Sequence, residues 1–283
     1  MRVASWNIEG RLSRFADEGE RGSPEHILAG IEALDADILF LPEAFDAARP
    51  VEPVIQKRLT ALHYALFDVA YNDRGDRSNP ATKDPHMLLL SRLEVAHAEE
   101  LPLVGGIRSM LAADIIDPDT KSAVHVVGVH FDDRTEEERH RQVQEIVSHI
   151  QNAQPAPIVA MGDFNAMHGT SFPAFLFGNG VAKRMFEHVP SRRFKDALQR
   201  VSEMAIGDTL RIFEEGTGLV AADPDEKWTA TPKMRGMEWM PSIRMAKIDH
   251  LYVSPNIETT DFMVSRDGGS DHRAISVTTR QNR

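Results

Sequence analysis

Short apolar runs recur along the whole chain and alternate with stretches of helical periodicity. Val3–Trp6 opens the series. Asp37–Leu41, His86–Leu90, Met110–Ile116, Ala123–Val129, Pro157–Met161, Ile248–Val253 and Ala274–Thr278 continue it. Their length and apolarity read as strands. Unbroken apolar sequence, as in Ile38-Leu39-Phe40-Leu41, suits a strand covered on both faces. Between the runs lie helix signals. Ser23-Pro24-Glu25 places a capping residue before Pro at the first helical position. Ile27, Ile31 and Leu34 then share one face at helical spacing. Thr135-x-x-Glu138 is a capping-box pattern, and Val143, Ile146, Val147 and Ile150 continue it as a helix with one buried stripe.

The 283 residues allow one large domain or two small ones. No internal repeat divides them, and a single domain over 1–283 is expected. The stretch from Ala166 to Ala246 is rich in Gly, Pro, Met and aromatics and weak in periodicity. It reads as a loop-rich insertion, at about 166–246, on that one domain. There is no cysteine. Disulfides, thiolate zinc sites, iron–sulfur clusters and thiol nucleophiles are therefore excluded, and any metal must sit on oxygen or imidazole. The formal net charge of −11 argues against non-specific coating of nucleic acid but not against a local basic groove. Met1-Arg2 runs straight into the first strand, without the apolar segment of a secretory signal. No stretch approaches the roughly 18 apolar residues of a membrane span. A cytoplasmic protein without stable membrane association is expected.

Polar residues of a restricted kind stand at the edges of the apolar runs. Asn7 follows Val3–Trp6, Glu43 follows Leu39–Pro42, and His130 follows Val126–Val129. Asp163 and Asn165 follow Ile158–Gly162, Asp249 opens the run to Val253, and Asp271-His272 precede Ala274–Val277. A side chain at a strand edge can converge with others on a shared cleft. Glu43 and Asn7 offer hard oxygen ligands, the preference of Mg²⁺ or Mn²⁺. Asp163, two residues before Asn165, can place a base and an amide on one side of a sharp turn, with Gly162 allowing close approach. Asp271-His272 add a carboxylate and an imidazole beside Gly268-Gly269-Ser270. A metal, a water-activating base and donors for an anionic transition state are the equipment for phosphoester hydrolysis.

Trp6-Asn7-Ile8-Glu9-Gly10, Leu41-Pro42-Glu43, Gly128-Val129-His130, Gly162-Asp163-Phe164-Asn165-Ala166, Ile248-Asp249-His250 and Gly269-Ser270-Asp271-His272 resemble, in order, the motif set of the endonuclease/exonuclease/phosphatase superfamily. The resemblance runs from Asn7 to His272. It implies an α/β (α+β) fold: a two-sheet β-sandwich flanked by helices, the DNase I-like four-layer architecture, with the site at one edge. It implies that Asn7, Glu43 and Asp271 hold Mg²⁺ (or Mn²⁺). Asp163 is then the acid/base group, and Asn165 positions it and the phosphate. His130 and His272 contact phosphate oxygens, and Asp249 orients His130. One departure is Pro42, where the family most often has Gln. It removes a backbone donor and alters the surroundings of Glu43 without replacing it.

Other polar residues have plainer readings. His250 neighbours Asp249 and points to the opposite face if extended, which makes it structural. No motif marks His86, His97, His125, His140, His149 or His188. Asp132-Asp133 and Glu136-Glu137-Glu138 read as solvated acids that suit a helix N-terminus. Two segments run against the acidic total. Lys183–Arg200 has six basic residues against Glu187 and Asp196, and Lys227–Lys247 has five against Glu238, together with Trp228 and Trp239. Basic residues interleaved with aromatics suit a nucleic-acid strand or a phosphorylated ligand. The expected function is a metal-dependent phosphoester hydrolase, leaning to a phosphodiesterase or nuclease acting on nucleic acid. The alternatives are a small-molecule or lipid phosphoesterase with the same site, and a phospholigand-binding module without catalysis. The last would need a broken motif, and none is broken.

Overall fold

The computed structural model describes residues 1–12, 23–46, 53–69, 85–104, 108–153, 155–168, 199, 201–205, 207–222, 229, 247–265 and 269–281. Among the described residues twelve strands form two six-stranded sheets. The first sheet runs β11 (Ile257–Val264), β12 (Ile275–Gln281), β1 (Arg2–Ser5), β2 (Ile38–Asp46), β4 (Pro85–Ser91) and β3 (Ala65–Val69). The second runs β5 (Val95–Pro102), β6 (Ser109–Ile116), β7 (Ala123–His130), β8 (Ile158–Asp163), β10 (Asp249–Val253) and β9 (Val220–Ala221). Within each sheet one neighbouring pair is parallel, β1 with β2 and β7 with β8. A parallel pair needs a crossover. Helix α1 (Pro24–Leu34) supplies the first and helix α3 (Glu136–Ala153) the second, while α2 (Pro53–Ala61) lies between β2 and β3.

The facing sheets share one apolar layer. Val3, Ile38, Phe40 and Leu89 from the first sheet meet Leu111, Val124, Val126, Val159 and Met161 from the second. Alternation along each strand sends the other residues outward. Ala4, Leu39 and Leu41 pack under α1 with Ile27, Leu28 and Ile31. Val127, Val129 and Ala160 pack under α3 with Val143, Ile146 and Ile150. Helix, sheet, sheet, helix is the expected four-layer architecture. Both central strands of the second sheet are covered on both faces, which explains their unbroken apolar sequence.

The helix signals are realised. Ser23 caps α1 by accepting from the His26 N–H at 3.3 Å, and Thr135 Oγ1 accepts from the Glu138 N–H at 3.3 Å. Two of the acids expected to be solvated are structural instead. Asp132 is buried, and its Oδ1 accepts from the N–H groups of Arg134 and Thr135 at 2.7 and 3.0 Å. Glu136 accepts from both the N–H and the hydroxyl of Thr209, at 2.9 and 2.8 Å. Both acids are held in structure for one reason. Orphan N–H groups at a buried helix start need acceptors, and these carboxylates supply them.

Thr209 begins α4 (Thr209–Thr217), inside the stretch expected to be loop-rich. Leu210 and Phe213 of α4 join the core beneath α3, and β9 pairs with β10. Of the two basic segments only Gln199, Thr229 and Lys247 are among the described residues, and Trp228 and Trp239 lie outside them. Among the described residues no helix is long and apolar enough to cross a membrane.

Between the sheets, Phe40 of β2 lies against Gly128 of β7. A Cβ on Gly128 would stand 2.4 Å from the Phe40 ring. Gly128→Ala is expected to destabilise the fold by about 1–3 kcal/mol through overpacking. A urea midpoint equal to that of the wild type would contradict this placement.

Candidate active site

Register brings the strand-edge residues together. In the parallel β7–β8 pair His130 lies opposite Asp163, and in the antiparallel β8–β10 pair Asp249 lies opposite Asp163. Asp163 is therefore flanked by His130 on one side and Asp249 on the other. In the first sheet Ser5 pairs with Phe40 of β2 and Ile275 of β12. Asn7, Glu43 and His272 thus leave that sheet at one common end. The Trp6 indole N–H donates to the His272 carbonyl at 3.2 Å, and the Ser270 hydroxyl donates to the Asn7 carbonyl at 2.8 Å. These bonds tie the first motif to the last.

Glu43 is aimed by a break in its strand. The β2–β4 register shifts between Leu41 and Phe45, and Glu43 takes a left-handed φ of 52°. Pro42, which lacks an N–H, sits inside that irregularity, where a bulge tolerates it. The Glu43 carbonyl accepts from the Gly10 N–H at 2.5 Å, locking the bulge to the turn after Asn7. At the end of β8, Gly162 has φ 148°, and a Cβ there would lie 1.9 Å from the Val129 carbonyl oxygen. Only glycine permits this approach. Asn165, at φ 46°, then turns its N–H onto Asp163 Oδ1 at 2.9 Å, while its side-chain amide donates to the Phe131 carbonyl at 3.0 Å.

Asp163 is buried, and its Oδ2 accepts from the Asn7 amide at 3.0 Å. The Nε2 atoms of His130 and His272 each stand 3.8 Å from the same oxygen. Burial pushes the Asp163 pKa up to about 7; the His272 charge opposes this and the Asp249 charge adds to it. The two imidazoles differ. His130 Nδ1 accepts from Arg108 Nη1 at 2.9 Å. A guanidinium only donates, so the His130 proton is on Nε2, directed at Glu43 Oε1 (3.4 Å) and Asp163. Burial, and then the Arg108 and His272 charges, lower the His130 pKa well below its ordinary value. His272 Nδ1 donates to Asp249 Oδ2 at 2.9 Å. Burial works against its charge, but Asp249, Asp163 and Asp271 together raise its pKa well above the ordinary value.

Asp249 thus orients His272, not His130 as expected. Strand order is the reason. With β8 between β7 and β10, Asp249 and His130 stand on opposite sides of Asp163. Arg108, just before β6, takes the place by His130. A lone loop arginine carries no signal in the sequence. Thr229 is a second missed residue. Its Oγ1 accepts from the N–H groups of Ile248 and Asp249 at 3.2 and 3.1 Å, and its carbonyl accepts from the Arg273 N–H at 2.7 Å. His250 is structural, as expected. It is buried with Nε2 2.9 Å from the Ala166 carbonyl and lies edge-on to Phe164.

Two groups of residues bear on a metal. Asp163, Asp249 and His272 each offer a ligand atom within 4.8 Å of the others. Asp249 Oδ1 is buried and has no hydrogen-bond partner among the described residues. The expected set of Asn7, Glu43 and Asp271 lies beside it. Burial raises the Glu43 pKa; Arg108 and His272 lower it, the Asp271 charge raises it, and hydrogen bonding to Asn7 lowers it. Two carboxylates that repel each other across hard oxygen donors suit a divalent cation.

The sequence matches the model of the Endonuclease/Exonuclease/phosphatase family over residues 4–272. The chain belongs to that family, whose members are phosphoester hydrolases. No curated protein matches the sequence. Solved structures similar to it include the catalytic domain of human Nocturnin with bound sulfate, at a TM-score of 0.67, 16% identity, and coverage of 100% of this chain and 94% of that one. D. rerio TDP2 complexed with a single-strand DNA product gives a TM-score of 0.61 at 14% identity, covering 99% of each chain. The mannosyl-6-phosphatase Bt3783 of Bacteroides thetaiotaomicron gives 0.63 at 15% identity, again covering 99% of each. At such identities the likeness is one of fold.

Burial and the Lys247 charge hold the His250 pKa well below 6.5, against the hydrogen bond to Ala166. The unfolded chain therefore binds the extra proton as pH falls through 6.5, and the stability that His250 contributes above that pH is lost below it. His250→Gln lacks this titration. The stability advantage of the wild type over His250→Gln should shrink by up to about 1.4 kcal/mol per pH unit below 6.5. Urea unfolding of both proteins at pH 8 and pH 5.5 measures it; a pH-independent difference would contradict the buried neutral ring.

Proposed function

We propose that this chain is a Mg²⁺- or Mn²⁺-dependent hydrolase of phosphodiester bonds in nucleic acid. The observation that carries the reading is the convergence on Asp163. One buried carboxylate titrating near neutrality is flanked by two imidazoles and adjoined by Glu43 and Asp271. Asn7, Glu43 and Asp271 would hold the ion, which supplies positive charge against the phosphoryl oxygens and the charge developing on them.

The chain's own groups do the rest. Asp163 is the acid/base group, with a pKa matched to proton transfer near neutral pH. The Asn7 amide and the Asn165 N–H hold its two oxygens in place. His272 keeps its charge through Asp249 and presents an Nε2–H donor to an anionic phosphoryl group. His130 presents a second donor, fixed as the Nε2–H tautomer by Arg108. Donors placed before the reaction begins need no reorganisation as charge develops.

The two basic segments with Trp228 and Trp239 support a nucleic-acid strand as substrate, because bases stack on aromatic rings while cations follow the backbone. The single-strand DNA bound by the structurally similar D. rerio TDP2 points the same way. A small phosphomonoester is the second reading, and the similarity to Bt3783 over 99% of both chains favours it.

A panel of single-stranded and duplex DNA, RNA, abasic-site DNA, 5′-tyrosyl DNA, phosphoinositides, sphingomyelin and sugar phosphates, assayed with Mn²⁺, separates the readings. Turnover confined to nucleic acids is expected, and EDTA should abolish it. Asp163→Asn should lower kcat by about 10²–10⁴-fold with an unchanged circular dichroism spectrum. Undiminished turnover by that variant would remove Asp163 from its role, and EDTA-insensitive turnover would remove the metal.

A further inference from the structure

A second cluster of titratable side chains lies at the other end of the same strands. His125 is near the start of β7, five residues before His130, which places it roughly 17 Å from the site at the usual strand rise. His149 is in the last turns of α3, which crosses the same face. Their Nε2 atoms face each other at 2.9 Å, with ring centroids 5.0 Å apart. His125 Nδ1 donates to Asp114 Oδ1, on β6, at 2.8 Å. His97 of β5 is the register partner of Asp114 and is exposed, with Nε2 3.9 Å from Glu99 Oε2. The Glu99 and Asp114 charges both act on His149. Neither the fold nor the hydrolytic site accounts for three imidazoles and two carboxylates gathered there.

Whichever ring carries it, a single proton lies between the two Nε2 atoms, since they share one hydrogen bond. A metal ion can replace that proton. A tetrahedral Zn²⁺ with bonds of about 2.0–2.1 Å holds two ring nitrogens roughly 3.3 Å apart, a few tenths of an ångström beyond the present separation. The other ring nitrogen of His125 already donates to a carboxylate. This is the arrangement that orients metal-bound histidines and raises their basicity. His97 and Glu99 are exposed on β5, the edge strand of the sheet, beside Asp114, and are the side chains from which a further ligand would come.

We propose that His125 and His149 bind a transition-metal ion of the Zn²⁺, Ni²⁺ or Cu²⁺ class, with His97 or Glu99 completing its coordination and Asp114 orienting His125. Imidazole selects these ions, whereas Asn7, Glu43 and Asp271 offer the oxygen donors preferred by Mg²⁺ and Mn²⁺. The two sites therefore choose different metals. A bound ion would join α3 to β7 far from the reacting groups, and so act on stability and not on turnover.

Zn²⁺ binding to the full chain, followed by calorimetry and by thermal unfolding in excess Mg²⁺, tests the site. The wild type should bind one Zn²⁺ that His149→Gln does not bind, and its Tm should rise with Zn²⁺ where that of His149→Gln does not. Gln keeps a donor towards His125 and sits on a half-buried helix position, so the fold should survive; a circular dichroism spectrum checks this. Asp114→Asn should weaken the same Zn²⁺ by about 10–100-fold without removing it. Mg²⁺-supported hydrolysis should be equal in all three proteins. Equal Zn²⁺ binding by wild type and His149→Gln would overturn the proposal. So would a Zn²⁺ response that Glu43→Gln abolishes and His149→Gln leaves intact, since that would place the ion among the hydrolytic residues.

Discussion

The pairing of β7, β8 and β10 in one register is the constraint on which the site depends. It sets His130, Asp163 and Asp249 side by side across three strands. A slip of one residue in either pairing would turn the shifted strand's polar residue away from Asp163 and bury the wrong face. The apolar alternation prevents that slip. Val127, Val129 and Ala160 must face α3 while Val126, Val159 and Met161 face the other sheet. The same hydrophobic pattern that builds the core therefore also aligns the polar strand-edge residues, and Gly128 leaves room for the Phe40 ring between the sheets.

Alignment leaves the polar residues at strand ends, where ordinary β geometry would point some of them away. Local backbone strain redirects them. Glu9, Glu43 and Asn165 all have positive φ without being glycine, a conformation that costs of order 1–3 kcal/mol each. The compensation is visible in the bonds that those conformations allow: Gly10 N–H to the Glu43 carbonyl, and Asn165 N–H to Asp163. Asp35, His63, Lys121 and Asp261 share the left-handed conformation elsewhere in the fold, but at Glu9, Glu43 and Asn165 it falls within the motifs.

How much of this is legible in the sequence follows from range. The strands β1, β2, β4, β6, β7, β8, β10 and β12 and the helices α1 and α3 announce themselves by apolar runs and caps, which are local. The eight motif residues are legible because each follows or opens such a run, and the family resemblance orders them. β5 and β11 are not, since both lie at or near sheet edges with half their residues exposed and carry little apolar pattern. α4 is hidden inside a Gly- and Met-rich stretch, although Phe213 packs edge-on to Phe164 beneath the site. Arg108 and Thr229 act only through residues far away in sequence. The partner of Asp249 is likewise a matter of strand order, and strand order is not a local property.

The two imidazoles beside Asp163 show why that order matters. They stand at the same distance from one carboxylate oxygen but are held in opposite charge states. Arg108 meets one ring with a donor, so that ring must accept, and its charged form is disfavoured. Asp249 meets the other with an acceptor, so that ring must donate, and its charged form is favoured. Were both rings charged, they would repel each other and Arg108 across a buried centre and hold Asp163 ionised at neutral pH. Were both neutral, Asp163 and Asp249 would face each other without a cation between them. One neutral ring and one charged ring leave Asp163 near the midpoint of its titration, able to take up or release a proton. Burial is the main cause of the raised Asp163 pKa, the His272 charge opposes it and the Asp249 charge adds to it; Arg108 enters only by helping to keep His130 neutral.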